Sequence, residues 1–84
     1  MGMVSLHPHA RERLRERGAT EQEVIATVEE GETFPVKYNR TGFRRNFSFD
    51  GIWRGKHYLT KQIEAYAVQE NDAWLVISII TRFY

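Results

Sequence analysis

Pro8-His9-Ala10-Arg11-Glu12-Arg13-Leu14-Arg15-Glu16-Arg17-Gly18-Ala19-Thr20-Glu21-Gln22-Glu23 contains the whole of one helix signal and the opening of the next. Pro8 suits a first helical turn, where its missing N–H has no partner to lose, with His7 or Ser5 before it as the cap. Gly18 is the residue type that stops a helix in the left-handed conformation. Thr20-Glu21-Gln22-Glu23 is a capping box, in which the threonine side chain and the glutamate side chain each satisfy a free backbone N–H of the helix start. Val24, Ile25 and Val28 then form a short apolar stripe before Gly31. A tight turn therefore joins two helices. Beyond Gly31 the apolar period changes to two, which predicts strands over 33–39, 43–50, 61–70 and 73–83. Thr41-Gly42, Asp50-Gly51 and Asn71-Asp72 have the composition of the turns between them. Short turns between consecutive strands make an antiparallel meander. The expected class is α+β, with two N-terminal helices packed on a four-stranded antiparallel sheet.

Eighty-four residues, 42% of them hydrophobic, make one domain over 1–84. A chain of this size buries roughly 60% of its unfolded surface. There is no cysteine, which removes disulfides and thiolate metal sites and fits a reducing compartment, so a cytoplasmic location is expected. The first residues carry no apolar signal core, and no membrane association is expected. His7, His9 and His57 are the only histidines, and with no thiolate beside them the sequence calls for no metal and no cofactor.

The net charge of +1 conceals a segregation of sign. Glu21, Glu23, Glu29, Glu30 and Glu32 follow one another without a basic residue, whereas Lys37, Arg40, Arg44, Arg45, Arg54 and Lys56 face Asp50 alone. Arg11, Arg13, Arg15 and Arg17 add four cations against Glu12 and Glu16. This pattern fits a polyanionic partner and fits equally the solvated faces of a helix and a hairpin.

Periodicity assigns directions. At about 100° per residue, Leu6, Ala10 and Leu14 point to the core, Arg17 falls within their stripe, Arg13 at its edge and His9 one step further out. Strand alternation puts Leu75, Ile77, Ile79, Thr81 and Phe83 on one face, so Thr81 is expected under the helices. Arg45 shares its face with Phe43, Phe47 and Phe49, either as a working cation or as a strand-end residue reaching for water. The other face gathers Tyr66, Val68, Trp74, Val76, Ile80 and Tyr84, an apolar surface that calls for a protein partner or a homodimer, unless the register slips by one.

The spacing His9-Ala10-x-x-Arg13-x-x-x-Arg17-Gly18, the Thr-capped helix ending at Gly31 and the strand ending Ile79-Ile80-Thr81 resemble the domain of unknown function 4258 family over nearly the whole chain. His7 departs from the serine frequent at its position there. That family is grouped by fold with RelE-like toxins and the wider barnase, EndoU, colicin and RelE superfamily. The resemblance implies a RelE-like fold and a metal-independent endoribonuclease, the toxin of a toxin-antitoxin pair. It implies RNA as the substrate, free or on the ribosome, and a small antitoxin covering the basic cleft or the apolar face. Its catalytic residues would be His9, Arg13 and Thr81. Attack of the ribose 2′-OH on the adjacent phosphate needs a proton acceptor, a cation on the phosphate and a proton donor for the leaving oxygen. His9 would act as the proton donor or acceptor, Arg13 and Arg45 have the guanidinium fork for phosphate, and Thr81 has a hydroxyl to orient it. Arg44 and the segment Ile52-Trp53-Arg54-Gly55-Lys56-His57-Tyr58 add cations and aromatics suited to unpaired RNA, with Trp53, Arg54 and Lys56 as the contacts. The alternative is a non-catalytic RNA- or protein-binding module, with Trp53 and Tyr58 packed on the sheet edge and His9 a plain helix-start residue.

Overall fold

The computed structural model describes residues 3–84. The chain runs β1 (Val4–Leu6), α1 (Pro8–Arg17), α2 (Glu21–Glu30), β2 (Glu32–Pro35), β3 (Thr41–Trp53), β4 (Lys56–Glu70) and β5 (Ala73–Phe83). The sheet order is β1-β5-β4-β3-β2, with β1 parallel to β5 and every other pair antiparallel. The class is α+β with two helices, as expected, but the sheet has five strands and is mixed. The additional strand has three residues, too few to show a period, and exists because Val4, Ser5 and Leu6 pair with Trp74, Leu75 and Val76.

Both helices end where their caps stand. His7 caps α1, its Nδ1 accepting the His9 N–H at 3.1 Å. Gly18 closes α1 at φ 71°. A Cβ there would lie 2.7 Å from the Trp53 ring, so glycine is required both by the backbone angle and by the indole packed on it. The capping box of α2 is complete, with Thr20 Oγ1 accepting from Glu23 N at 3.1 Å and Glu23 Oε1 accepting from Thr20 N at 3.0 Å. Gly31 ends α2 so close to β3 that a Cβ would meet the Arg44 carbonyl oxygen at 2.6 Å.

The turns differ from expectation at two places. Thr41-Gly42 lies inside β3, and the chain reverses instead at Tyr38 and Asn39, both left-handed. Asp50-Gly51 is a β-bulge within β3, with Asp50 at φ 43° and the pairing shifting between Ser48 and Gly51. The hairpin turn is Arg54-Gly55, both at positive φ as a tight two-residue turn requires. Asn71-Asp72 is the third turn, as the sequence indicated.

A second bulge decides which side chains reach the core. Tyr66 pairs with Ser78 but Ala67 pairs with Val76, so Ile77 is an extra residue in β5. On the far side of it the alternation is inverted. Ile79 belongs to the core as expected, whereas Val76, expected outside, is fully buried, and Trp74 packs edge-on against Phe43 at 5.0 Å. Leu75 and Ile77 consequently leave the face assigned to them. Ile63, Ala65 and Ala67 of β4 are fully buried, the small alanines letting α2 approach the sheet. Lys61 is buried with them and donates to Gly18 O at 2.9 Å and Glu23 Oε1 at 2.8 Å, tying both helix termini to β4.

The uncovered sheet face is not a continuous apolar surface. With Trp74 and Val76 turned inward, its middle is occupied by Glu64, only 3% exposed, between Arg44 and Arg82. Of the apolar set expected there, Trp74 and Val76 are lost to the core, and Tyr66, Val68, Ile80 and Tyr84 remain around the Glu64 cluster.

Candidate nucleic-acid interface

The β3–β4 hairpin projects beyond the body of the sheet and folds back against the end of α1. Trp53 stacks on Phe83 with centroids 4.9 Å apart and planes 17° from parallel, and Phe49 and Tyr58 also pack around Phe83 at 5.1 and 5.8 Å. This aromatic cluster beneath Gly18 is a second small core. Arg54, beside Trp53, donates to the Glu16 carbonyl oxygen at 3.1 Å. That acceptor is a backbone group at a helix C-terminus, where the macrodipole favours a cation, and it leaves the guanidinium charge without a carboxylate. Lys56 lies over the Tyr58 ring at 5.6 Å.

The outcome is a basic ridge. Arg13 and Arg17 lie on one side of α1, with Arg15 on the opposite side of its last turn, and the hairpin brings Arg54 and Lys56 to that end of the helix. Among the described residues none of these five cations pairs with a carboxylate, whereas Arg11 is paired with Glu21. The Nε of Arg17 is buried without a hydrogen-bond partner, because this residue sits within the apolar stripe of α1.

The residues singled out from the sequence do not converge. His9 is exposed at the start of α1 and Arg13 is half-buried one turn along. Thr81 faces the helices, as strand alternation indicated, but its hydroxyl donates to the Arg17 carbonyl at the other end of α1. Eight residues of helix separate Arg17 from His9, roughly 12 Å along the axis. Arg44 and Arg45 point to opposite sheet faces. Arg45, on the helix side, pairs with Glu30 at 2.8 Å and lies over the Phe47 ring at 4.9 Å. Trp53 is half-buried in the stack just described rather than presented to solvent.

The uncovered face carries a cluster around Glu64 that the sequence analysis missed. Arg44 reaches one carboxylate oxygen at 2.6 Å, and Arg82 and the Tyr66 hydroxyl donate to the other at 2.9 and 2.8 Å. Burial pushes the Glu64 pKa up, but the hydrogen bonds from Arg82, Tyr66 and Arg44 outweigh it and hold the carboxyl below its ordinary range. The bond to Glu64 in turn raises Arg44, and burial together with the same carboxylate raises Tyr66. A signal existed in the alternation: Arg44, Glu64 and Arg82 share one face once the pairing of β4 with both neighbours is known. Arg44 also reaches Glu32 through Nη1 at 3.5 Å, so the cluster ties β2, β3, β4 and β5 together and acts as a structural clasp.

Among the described residues no group of three metal-ligating side chains comes together, and no helix is long and apolar enough to cross a membrane. No family model, curated protein or solved structure matches the chain.

Proposed function

We propose that this domain binds single-stranded RNA through the basic ridge formed by the C-terminal half of α1 and the hairpin tip. The observation that carries the reading is the Arg54 contact with Glu16 O, which adds Arg54 and Lys56 to Arg13 and Arg17 with no carboxylate paired to any of them among the described residues. Cations held in place and left uncompensated are what a phosphate backbone recruits, since each phosphate neutralised releases condensed counterions. The hairpin is pinned by its aromatic cluster, so Arg54 is preorganised beside the end of α1.

Catalytic cleavage is the second reading. In its favour, the His9 imidazole and the Arg13 guanidinium lie on one side of α1 and neither makes a side-chain bond among the described residues. A metal-independent cut would then use His9 for proton transfer and Arg13 on the phosphate, with Thr81 acting through its bond to Arg17 O rather than on the substrate.

One experiment separates them: a labelled single-stranded RNA incubated in EDTA over a salt series, with binding and product ends both measured. Binding whose logarithm falls linearly with log salt, with a slope that shrinks by roughly 0.7 for each of Arg13→Ala, Arg54→Ala and Lys56→Ala, is the expected result. Absence of salt-dependent binding sinks the proposal. A 2′,3′-cyclic phosphate product that disappears in His9→Ala promotes the second reading over the first.

A further inference from the structure

An open groove of ≈ 610 Å³ lies at the base of the hairpin, bordered by Asn46, Ser48, Asp50, Leu59, Thr60 and Tyr84. Its volume is in the range that small-molecule sites occupy. Tyr84 is fixed over it by three bonds. Its N–H donates to Thr60 O at 3.0 Å, its carbonyl accepts from Thr60 N at 2.7 Å, and its hydroxyl donates to Asn46 Oδ1 at 3.2 Å. The residue nonetheless stays 56% exposed. An aromatic ring held rigid with a face in solvent is a stacking platform whose ordering cost is already met by the fold.

The polar groups around the ring are only partly used. Asn46 Oδ1 also accepts from Gln62 Nε2 at 3.0 Å, which leaves the Asn46 amide nitrogen with both protons unengaged among the described residues. The hydroxyls of Ser48 and Thr60 make no side-chain bond there. Asp50 holds His57 Nε2 at 2.7 Å through one oxygen and keeps the other. The groove thus offers a donor amide, two hydroxyls able to donate or accept, and one carboxylate oxygen that can only accept, beside a flat ring. A carboxylate at its rim disfavours a phosphate in the groove itself.

Building on the RNA reading, we infer that this groove seats one unpaired nucleobase bearing an amino group, stacked on Tyr84, while the flanking phosphates follow the hairpin to the basic ridge. Thr60 and Lys56 are four residues apart on β4, roughly 13 Å of strand, a reach that a short single strand covers. Stacking supplies affinity to any base, and the free Asp50 oxygen favours one with an exocyclic amino group.

The seat and the ridge are tested separately. Free cytidine carries no phosphate, so its binding reports on the groove alone. It is expected to shift the Tyr84 ring and Asn46 side-chain resonances of the full chain. With a cytidine pentaribonucleotide, Tyr84→Leu should lose about tenfold in affinity at an unchanged salt slope, while Tyr84→Phe keeps most of it. Cytidine shifts without salt-dependent RNA binding would retain the seat and discard the ridge. Salt-dependent binding with no cytidine shift, and with Tyr84→Leu equal to wild type, would overturn the seat and leave the ridge standing.

Discussion

Arginine plays opposite parts on the two faces of this molecule. On the uncovered sheet face Arg44 and Arg82 share the buried Glu64, with Glu32 as a second partner of Arg44, so both cations are tied to carboxylates of the fold. At the end of α1, Arg13, Arg15, Arg17 and Arg54 have no carboxylate among the described residues. Composition counts them all alike. Their availability to a ligand is decided by what lies within a few ångströms of each guanidinium.

Four experiments put that contrast to the test. The largest effect is expected from Trp53→Ala, which removes the stack on Phe83 and the packing on Gly18 that hold the hairpin to α1. It should cost about 3 kcal/mol in denaturant unfolding and should also weaken RNA binding, because Arg54 and Lys56 lose their fixed place. Equal RNA affinity in this variant would show that the ridge does not depend on the hairpin.

Glu64→Gln comes next. Loss of the charge-assisted bonds should cost about 2 kcal/mol at neutral pH. The folded carboxyl is held below its ordinary pKa, so its contribution is complete above the unfolded value and disappears as pH falls through the folded one. The stability gap between wild type and Glu64→Gln should therefore close on acidification, and a gap constant down to pH 2 would contradict the clasp. The same variant removes the carboxylate partner of Arg82 and leaves Arg44 with Glu32, so its RNA binding should become slightly steeper in salt than that of wild type.

Thr20→Ala should cost about 1 kcal/mol through loss of the α2 capping box, seen as a lower denaturation midpoint with the RNA salt slope unchanged. The smallest effect on stability, within about 0.5 kcal/mol, is expected for Arg13→Ala together with Lys56→Ala. Thermal unfolding of that double variant should match wild type while its salt slope falls. A large stability loss would mean that these cations have structural partners after all.

The helices were legible because their signals are local. Pro8, Gly18, the Thr20 and Glu23 pair and Gly31 act on backbone groups within four residues, and each does in the structure what its chemistry requires. The direction of Thr81 was legible for the same reason, since Ile79, Thr81 and Phe83 lie on one uninterrupted stretch of strand. Val76 and Trp74 were misassigned because the extra residue Ile77 inverts the alternation, and β5 carries no mark of it. The tight hairpin turn was misplaced because Asp50-Gly51 and Arg54-Gly55 are both plausible turns by composition, and only the partner strand distinguishes a bulge from a reversal.

Two capped helices, a following run of strands, the class α+β and an excess of cations on α1 and the hairpin can be read from the residues alone, because short-range sterics, capping bonds and hydrophobic period produce them. The parallel β1, the inward turn of Val76, the clasp on Glu64 and the return of the hairpin tip to α1 arise only from long-range packing. Each of these joins residues distant in the chain, and no local preference sets the free energy of such a contact.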